Sequence, residues 1–457
     1  MTRPPNGWTE EFLDAATQRG DPVGHEVVQS LFDQGADRIN QANRVLVNVP
    51  PNGTLPDLSG VSPDLRRSLE KYLTGTSSLP PWANIERCRR AEDFFFDHGI
   101  LSILALFNAS LPETYVVPTI AEVLQISGQL VDRAEYRIRT TARMIIPVMA
   151  HGGLTGPDGY GIGHVQRVRL IHATIRHLVL NGTKATGEFE ATTVRRTPGS
   201  ALGGAVMPHD VQEAMKAAGW DAKADGVPVN QVEMAYTLLT FSFISLRSLR
   251  DFGLRLSDTE EEDYLHCWNV VGHIIGLERE LMADTMDEAA ELFEAIRARG
   301  RKHPHHSRDP RPDLAAALIR VIERHIPLRV MKPIGALLTR KLIGDESANI
   351  LQIERHYSKA TWVVFRILHT VLLASERVAQ ALRSHVSPIR FVSRVLGYHL
   401  FKGLLVDQTR PLQLPDSCLH PLLENWAEDP AHHSWVNWLE RRFTGPRLIT
   451  VATSRGG

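Results

Sequence analysis

The residues best placed to do chemistry lie in one segment, "VRLIHATIRH", Val168 to His177. At 3.6 residues per turn, Val165, Val168, His172, Ile175 and Val179 fall along one helix face, so an imidazole stands within an apolar stripe. Arg176, four residues on, projects near the same side, and His177 lies well round the helix. An imidazole in such surroundings either hydrogen-bonds a backbone carbonyl in a core or offers a lone pair to a metal. Both readings stand at this point. Arg137 and Thr141 form a second pair at i, i+4, and Thr141 shares an apolar face with Ala134, Ile138, Ile145 and Met149. A hydroxyl there can simply bond back to its own helix. Glu122 follows Thr119 by three residues, the spacing of a capping box, which is a structural role.

The chain has 20 histidines, so each needs its own argument. His266 and His273 are seven residues apart on one face, about 10.5 Å along a helix axis, too far to share an ion. They read as separate polar contacts. His303, His305 and His306 fall in a breaker-rich stretch, where a solvated loop is expected. No HExxH, DxDxDG or GxSxG occurs, which removes the zinc-protease, calcium-loop and serine-hydrolase readings. "HGGLTGPDGYGIG", residues His151 to Gly163, is rich in glycine but lacks the GxGxxG order and a preceding strand, so it is a poor phosphate loop.

The elements that must position these residues are helices. "PTIAEVLQISG" reads as a helix stopping near Gly128, and a second starts at Asp132, with Pro147 expected to kink or end it. The helix of His172 should stop at Asn181-Gly182. Asn230 to Gly253 reads as one long helix, and "SDTEEEDYLHCWNVVGHIIG" as another with its acids in the first turn. Thr193 to Gly204 could hold a short strand pair. Arg299 to Asp313 is the clearest linker, followed by helical segments around Leu314–Arg324 and Ala348–His385. The class is all-α.

With 457 residues and 43% hydrophobic content, the chain is long enough for a large core plus additions. A formal net charge of −1 gives no sign of a nucleic-acid binder. Three cysteines, far apart and without CxxC or CxxCH, exclude zinc-ribbon, thioredoxin-like and covalent c-type haem readings. Residues 1–22 contain no apolar h-region, and neither Tyr236–Leu246 nor Ala360–Ala374 supplies the roughly 20 apolar residues of a membrane span. A cytoplasmic location without a transmembrane segment is the expectation.

Five blocks in order carry a resemblance. They are "GWTEEFLDAATQRGDP", "SLPETYVVPTIAEVLQISGQL", "AHGGLTGPDGYGIGHVQRVRLIHATIRH", "GVPVNQVEMAYTLLTFSFISL" and "EEDYLHCWNVVGHIIGLERELM", and "KPIGALLTRKLIG" extends the likeness past the linker. Together they resemble the haem-b oxygenases that include the latex-clearing (rubber oxygenase) proteins and the ER-bound oxygenase of the mycophenolic acid pathway. The resemblance implies a large helical domain whose globin-like core encloses a non-covalently held haem b. It makes His172 the proximal iron ligand, sets Arg176 toward a propionate or buried carboxylate, and gives His177 a supporting role. It also implies Glu122, Arg137 and Thr141 as oxygen-side residues, with Glu122 taking an allylic proton as oxygen adds to a double bond.

Two departures qualify the likeness. Latex-clearing proteins can carry a distal lysine just before the threonine, and Thr140 stands there; rubber-cleaving members are typically exported, and no export signal is visible. The expected activity is therefore haem-dependent, dioxygenase-type cleavage of C=C bonds in a smaller isoprenoid or other unsaturated apolar substrate, with O2. The alternatives are a rubber dioxygenase proper and a non-catalytic haem-binding or redox-sensing protein. The expected organisation is a catalytic domain over 1–300, a linker over 301–313 and a helical extension over 314–457 packed on the core.

Overall fold

The computed structural model describes residues 3–5, 7–46, 49–128, 134–181, 220–302, 309–326, 332–353 and 357–381. Among them every regular element is helical. The first five helices are α1 (Glu10–Thr17), α2 (Pro22–Asp33), α3 (Ala36–Val45), α4 (Pro63–Gly75) and α5 (Ile85–Asp97). Next come α6 (Gly99–Ala105), a π turn over Leu106–Ser110 and α7 (Leu111–Thr114). The middle of the chain forms α8 (Pro118–Gly128), α9 (Ala134–Met149), α10 (Gly161–Asn181), α11 (Gln231–Phe241), α12 (Phe243–Asp251) and α13 (Asp258–Ile275). The last described helices are α14 (Met286–Lys302), α15 (Arg311–His325), α16 (Ile334–Ile350) and α17 (Lys359–Ala381). No single described helix is long and apolar enough to cross a membrane.

Helix α10 is the spine, packed on α2, α9 and α13. Its residues serve two cores. Val165 joins the main core, which runs from Trp8 to Ile353, while Leu170, Ala173, Leu178 and Val179 join a second core with α2, α3 and α4. Leu314, Leu318, Ile322, Ala336 and Leu351 belong to the main core as well, so α15 and α16 share it with the helices before them.

Buried polar contacts fix the helix entries. Asp21 caps α2 by accepting the Gly24 N–H at 3.0 Å. The same carboxylate receives Arg169 of α10 through two bonds, Nε at 2.7 Å and Nη2 at 2.5 Å, while Nη1 reaches the Ile274 carbonyl at 3.0 Å. One capping aspartate thus ties α2, α10 and α13 together. Gly276, at φ 96°, closes α13, and a Cβ there would lie 2.6 Å from Asp21 Cγ, so only glycine fits both the turn and the contact.

Several boundaries differ from those read in the sequence. The Asn230–Gly253 segment is two helices broken at Ser242, whose hydroxyl bonds back to the Leu238 carbonyl at 2.9 Å. Helix α14 continues to Lys302 and α15 starts at Arg311, so the interruption is narrower than Arg299–Asp313. The segment expected around Ala348–His385 is broken between Ile350 and Lys359, where Gln352 takes φ 54°. Helix α9 includes Pro147 two residues before its end at Met149. The Thr193–Gly204 strand pair, the 303–306 histidines and Asp132 lie outside the described residues.

Candidate active site

Helices α8, α9, α10, α11 and α13 enclose a mostly apolar cavity of about 350 Å³, within the size range of small-molecule sites. Its α10 wall carries His164, Arg167, Val168, Ile171, His172 and Ile175, one face at i, i+3, i+4, i+7, i+8 and i+11. Helix α9 adds Thr140, Thr141, Arg143 and Met144, and α8 adds Ile120, Val123 and Leu124. Glu233, Met234 and Thr237 of α11 close the far side, with Trp268 of α13 beside them.

His172 keeps some accessible surface because its ring borders the cavity, yet its Nδ1 is fully covered and has no hydrogen-bond partner. Nε2 is then the nitrogen left to meet the cavity. A core histidine satisfied through a carbonyl would show a partner on the covered nitrogen, and this one does not. Burial, followed by the Arg176 charge, pushes the His172 pKa down to about 4, against an upward pull from Asp21. At neutral pH the imidazole is uncharged and has a lone pair to give. His164 is also held down, to about 4, by burial and by Arg167 and Arg143. It lies two turns earlier, about 12 Å along the axis, too far to share one ion with His172.

No group of three His, Cys, Asp or Glu side chains is arranged to hold a metal ion among the described residues. A single neutral imidazole bordering an apolar cavity would suit a metal that brings its other ligands with it in a flat macrocycle.

The remaining expected residues divide. Thr141 lies on the cavity wall, with Thr140 beside it. Glu122 is buried but does not line the cavity; its neighbour Val123 does, about 100° round the helix. Nor is it a capping-box partner, because Ala121 N–H bonds the Val117 carbonyl, so α8 opens before Thr119 and Glu122 falls past the third position. Arg137 sits in α9, and its side chain lies outside the described residues. Arg176 is buried away from the cavity. Its Nε donates to the Pro228 carbonyl at 3.1 Å and Nη2 to the Val229 carbonyl, and its flank fills the space where a Cβ on Gly20 would sit. His177 faces the second core, stacked on Phe32 at 4.1 Å, with Nδ1 3.2 Å from the Asn181 side-chain amide.

His266 and His273 both meet Trp82 edge-on, and His266 Nε2 accepts the Asn84 N–H at 2.9 Å. The glycine-rich loop has its donors occupied. The buried Glu92 carboxylate takes the Gly152 and Leu154 N–H groups at 2.9 Å each and the Thr155 hydroxyl at 3.1 Å. Asn52 Nδ2 bonds the Gly153 and Gly156 carbonyls at 2.8 and 3.0 Å, and its Oδ1 accepts the Ile162 N–H.

Sequence reasoning missed Glu233. It is the third residue of α11, 6% exposed, and its Oε2 completes a capping box with Asn230 N–H at 3.3 Å. The signal was present in "NQVEMAY": the N-x-x-E spacing, and a lone carboxylate on a helix apolar on every side.

Among the described residues, fold and cavity together define an all-helical protein with an apolar chamber and a neutral imidazole on its wall. The chain belongs to the family described as the ER-bound oxygenase mpaB/B'/rubber oxygenase catalytic domain, which matches residues 95–374. The resemblance read from the five blocks is thereby borne out, and membership makes the protein an oxygenase. The rubber oxygenase of Streptomyces sp. (strain K30) is 21% identical over 368 residues, covering 78% of this chain and 77% of that protein. The solved latex clearing protein LCP in its closed state shares the fold at TM-score 0.58 and 16% identity, over 94% of this chain and 91% of that one.

Proposed function

We propose that this oxygenase is haem-b-dependent and cleaves a carbon–carbon double bond of an isoprenoid or similar unsaturated apolar substrate. The observation that carries the reading is His172, a neutral imidazole whose covered nitrogen has no partner and whose other nitrogen opens on an apolar cavity. His172 would hold the iron. Val168, Ile171, Ile175 and Met144 would grip the macrocycle, and Arg143 and Arg167, on the same walls, would meet its carboxylates. When bound, the haem would supply the iron centre at which O2 reacts beside the double bond. The net reaction, one alkene plus O2 giving two carbonyls, needs no external reductant. The apolar walls would exclude water and orient a hydrocarbon chain, and Thr140 and Thr141 are the neutral hydroxyl donors that α9 adds to the wall. The polymer itself is a second reading, favoured by likeness to the Streptomyces rubber oxygenase.

The test is the absorption spectrum of haem-reconstituted protein, with oxygen uptake and carbonyl formation followed on a short polyprene and on rubber latex. Wild type should show a Soret band and make carbonyl products from the polyprene. His172→Ala should lose the band or most of the haem. Full haem retention with an unchanged spectrum in that variant refutes the assignment.

A further inference from the structure

Helix α17 (Lys359–Ala381) is set by local signals rather than by burial. Ser358 caps it, its hydroxyl accepting the Thr361 N–H at 3.1 Å, and the preceding Tyr357 packs on the main core. None of its described side chains is buried. Val363, Val364, Ile367, Val371 and Val378 are 48–60% exposed. Helical period gathers these five on one stripe, about 100° wide and roughly 22 Å long. A contiguous apolar surface of this kind marks a contact with something other than water.

We propose that this stripe docks on a lipid surface bearing anionic headgroups, with α17 lying flat in the interface. The inference stands apart from the haem reading. Charge complementarity carries it. By position in the sequence, Lys359, Arg366 and Arg377 fall on one line along an edge of the stripe. The helix has one acid, Glu376, and its position is on the opposite side. Trp362 stands beyond the basic edge, with the Arg366 guanidinium 4.8 Å from its ring centre. Apolar chains in the acyl boundary, with cations and an indole at headgroup level, are the pattern of an interfacial helix. The helix is not long and apolar enough to cross a bilayer, which suits it to lying along one.

A protein partner fits the stripe less well. Protein interfaces centre on aromatic and arginine anchors, whereas this stripe offers valine and isoleucine side chains without a polar atom. A second copy laid antiparallel on it about a two-fold axis would set two basic edges side by side.

The test is flotation of the full chain, with and without added haem, on two kinds of vesicle. One is phosphatidylcholine alone, and the other is equal parts phosphatidylcholine and phosphatidylserine. Wild type should float with the mixed vesicles more than with the neutral ones, and raised salt should remove the excess. Ile367→Glu should weaken binding to both kinds roughly tenfold or more. Arg366→Gln should weaken binding to the mixed vesicles alone, about fivefold. Circular dichroism of both variants should match wild type, since the side chains replaced are exposed. Wild type that floats with neither vesicle, or Ile367→Glu that floats as wild type does, overturns the proposal. So does a wild-type dimer that Ile367→Glu converts to monomer in sedimentation, because a second copy would then cover the stripe. A urea midpoint lowered by Ile367→Glu overturns it as well, because the chain itself would then cover that face.

Discussion

Replacing Asp21 should expose how much of the site's support hangs on one carboxylate. Its partner Arg169 is 8% exposed on its side chain and Asp21 3%, so the pair is shielded from solvent and salt. Removing one member of such a pair leaves an uncompensated buried charge, at about 3–5 kcal/mol. Asp21 also accepts the Gly24 N–H as the α2 cap, worth about 1 kcal/mol. Asp21→Asn keeps the cap and removes the charge, so we expect a loss of about 3 kcal/mol; Asp21→Ala removes both, for about 4 kcal/mol. Against a total stability of about 5–15 kcal/mol, either is a large share, and the urea midpoint should fall by on the order of 1 M. In the double variant Asp21→Asn/Arg169→Met no charge is left stranded, and at least half of the Asp21→Asn loss should return. The assay is urea unfolding, followed by circular dichroism, of haem-free wild type, both Asp21 variants, Arg169→Met and the double variant. A change within about 0.5 kcal/mol for Asp21→Asn, the size of an ordinary surface substitution, would refute the reasoning. Strict additivity in the double variant would refute it too.

Two further outcomes follow from the same geometry. His164 and His172 are held near a pKa of about 4, below the unfolded value of 6.5, so the unfolded chain binds protons that the folded chain refuses. Stability should be unaffected above pH 6.5, fall as pH drops, and level off below about 4; at pH 5 each histidine should cost about 1–2 kcal/mol. Unfolding at pH 7 and pH 5 should show His164→Gln losing less than wild type, and equal losses would contradict the assignment. Arg176→Met should leave two carbonyls unpaired and cost about 2 kcal/mol. Because the Arg176 charge pulls the Glu233 pKa down, the pH midpoint of the Glu233 carboxyl band in infrared difference spectra should rise in that variant; an unchanged or lower midpoint would break the link.

The stripe through Val168, His172 and Ile175 was legible because helical period alone puts side chains on one face. Val165 and Val179 share that face in projection, but α10 is 21 residues long and its ends enter two different cores, which period cannot report. The capping-box reading of Glu122 fails for a local reason: α8 opens at Pro118, moving Thr119 inside the first turn. Thr119 then turns toward a carboxylate more than 100 residues away. Arg176 was placed correctly on its helix edge, yet its partners are carbonyls of a turn that only tertiary packing brings near. Glu233 stayed hidden because what defines it, burial beside Thr119 and Arg176 and an open side toward the cavity, comes from three separate segments. Period and breaker residues made the helices and the His172 stripe legible; the surroundings of Glu233 come from packing alone.

The clasp of Glu92 and Asn52 on the loop between α9 and α10 also governs compliance. Those two helices carry the Thr141 and His172 walls, and their connection is stitched at both ends to α5 and to the 49–62 segment. They behave as one stiff jaw, with a fixed gap between hydroxyl and imidazole. Any widening to thread a long hydrocarbon must then come from the opposing jaw. There α11 is preceded by a valine at φ 54° and interrupted at its end by Ser242, so both of its ends are places where that wall can give.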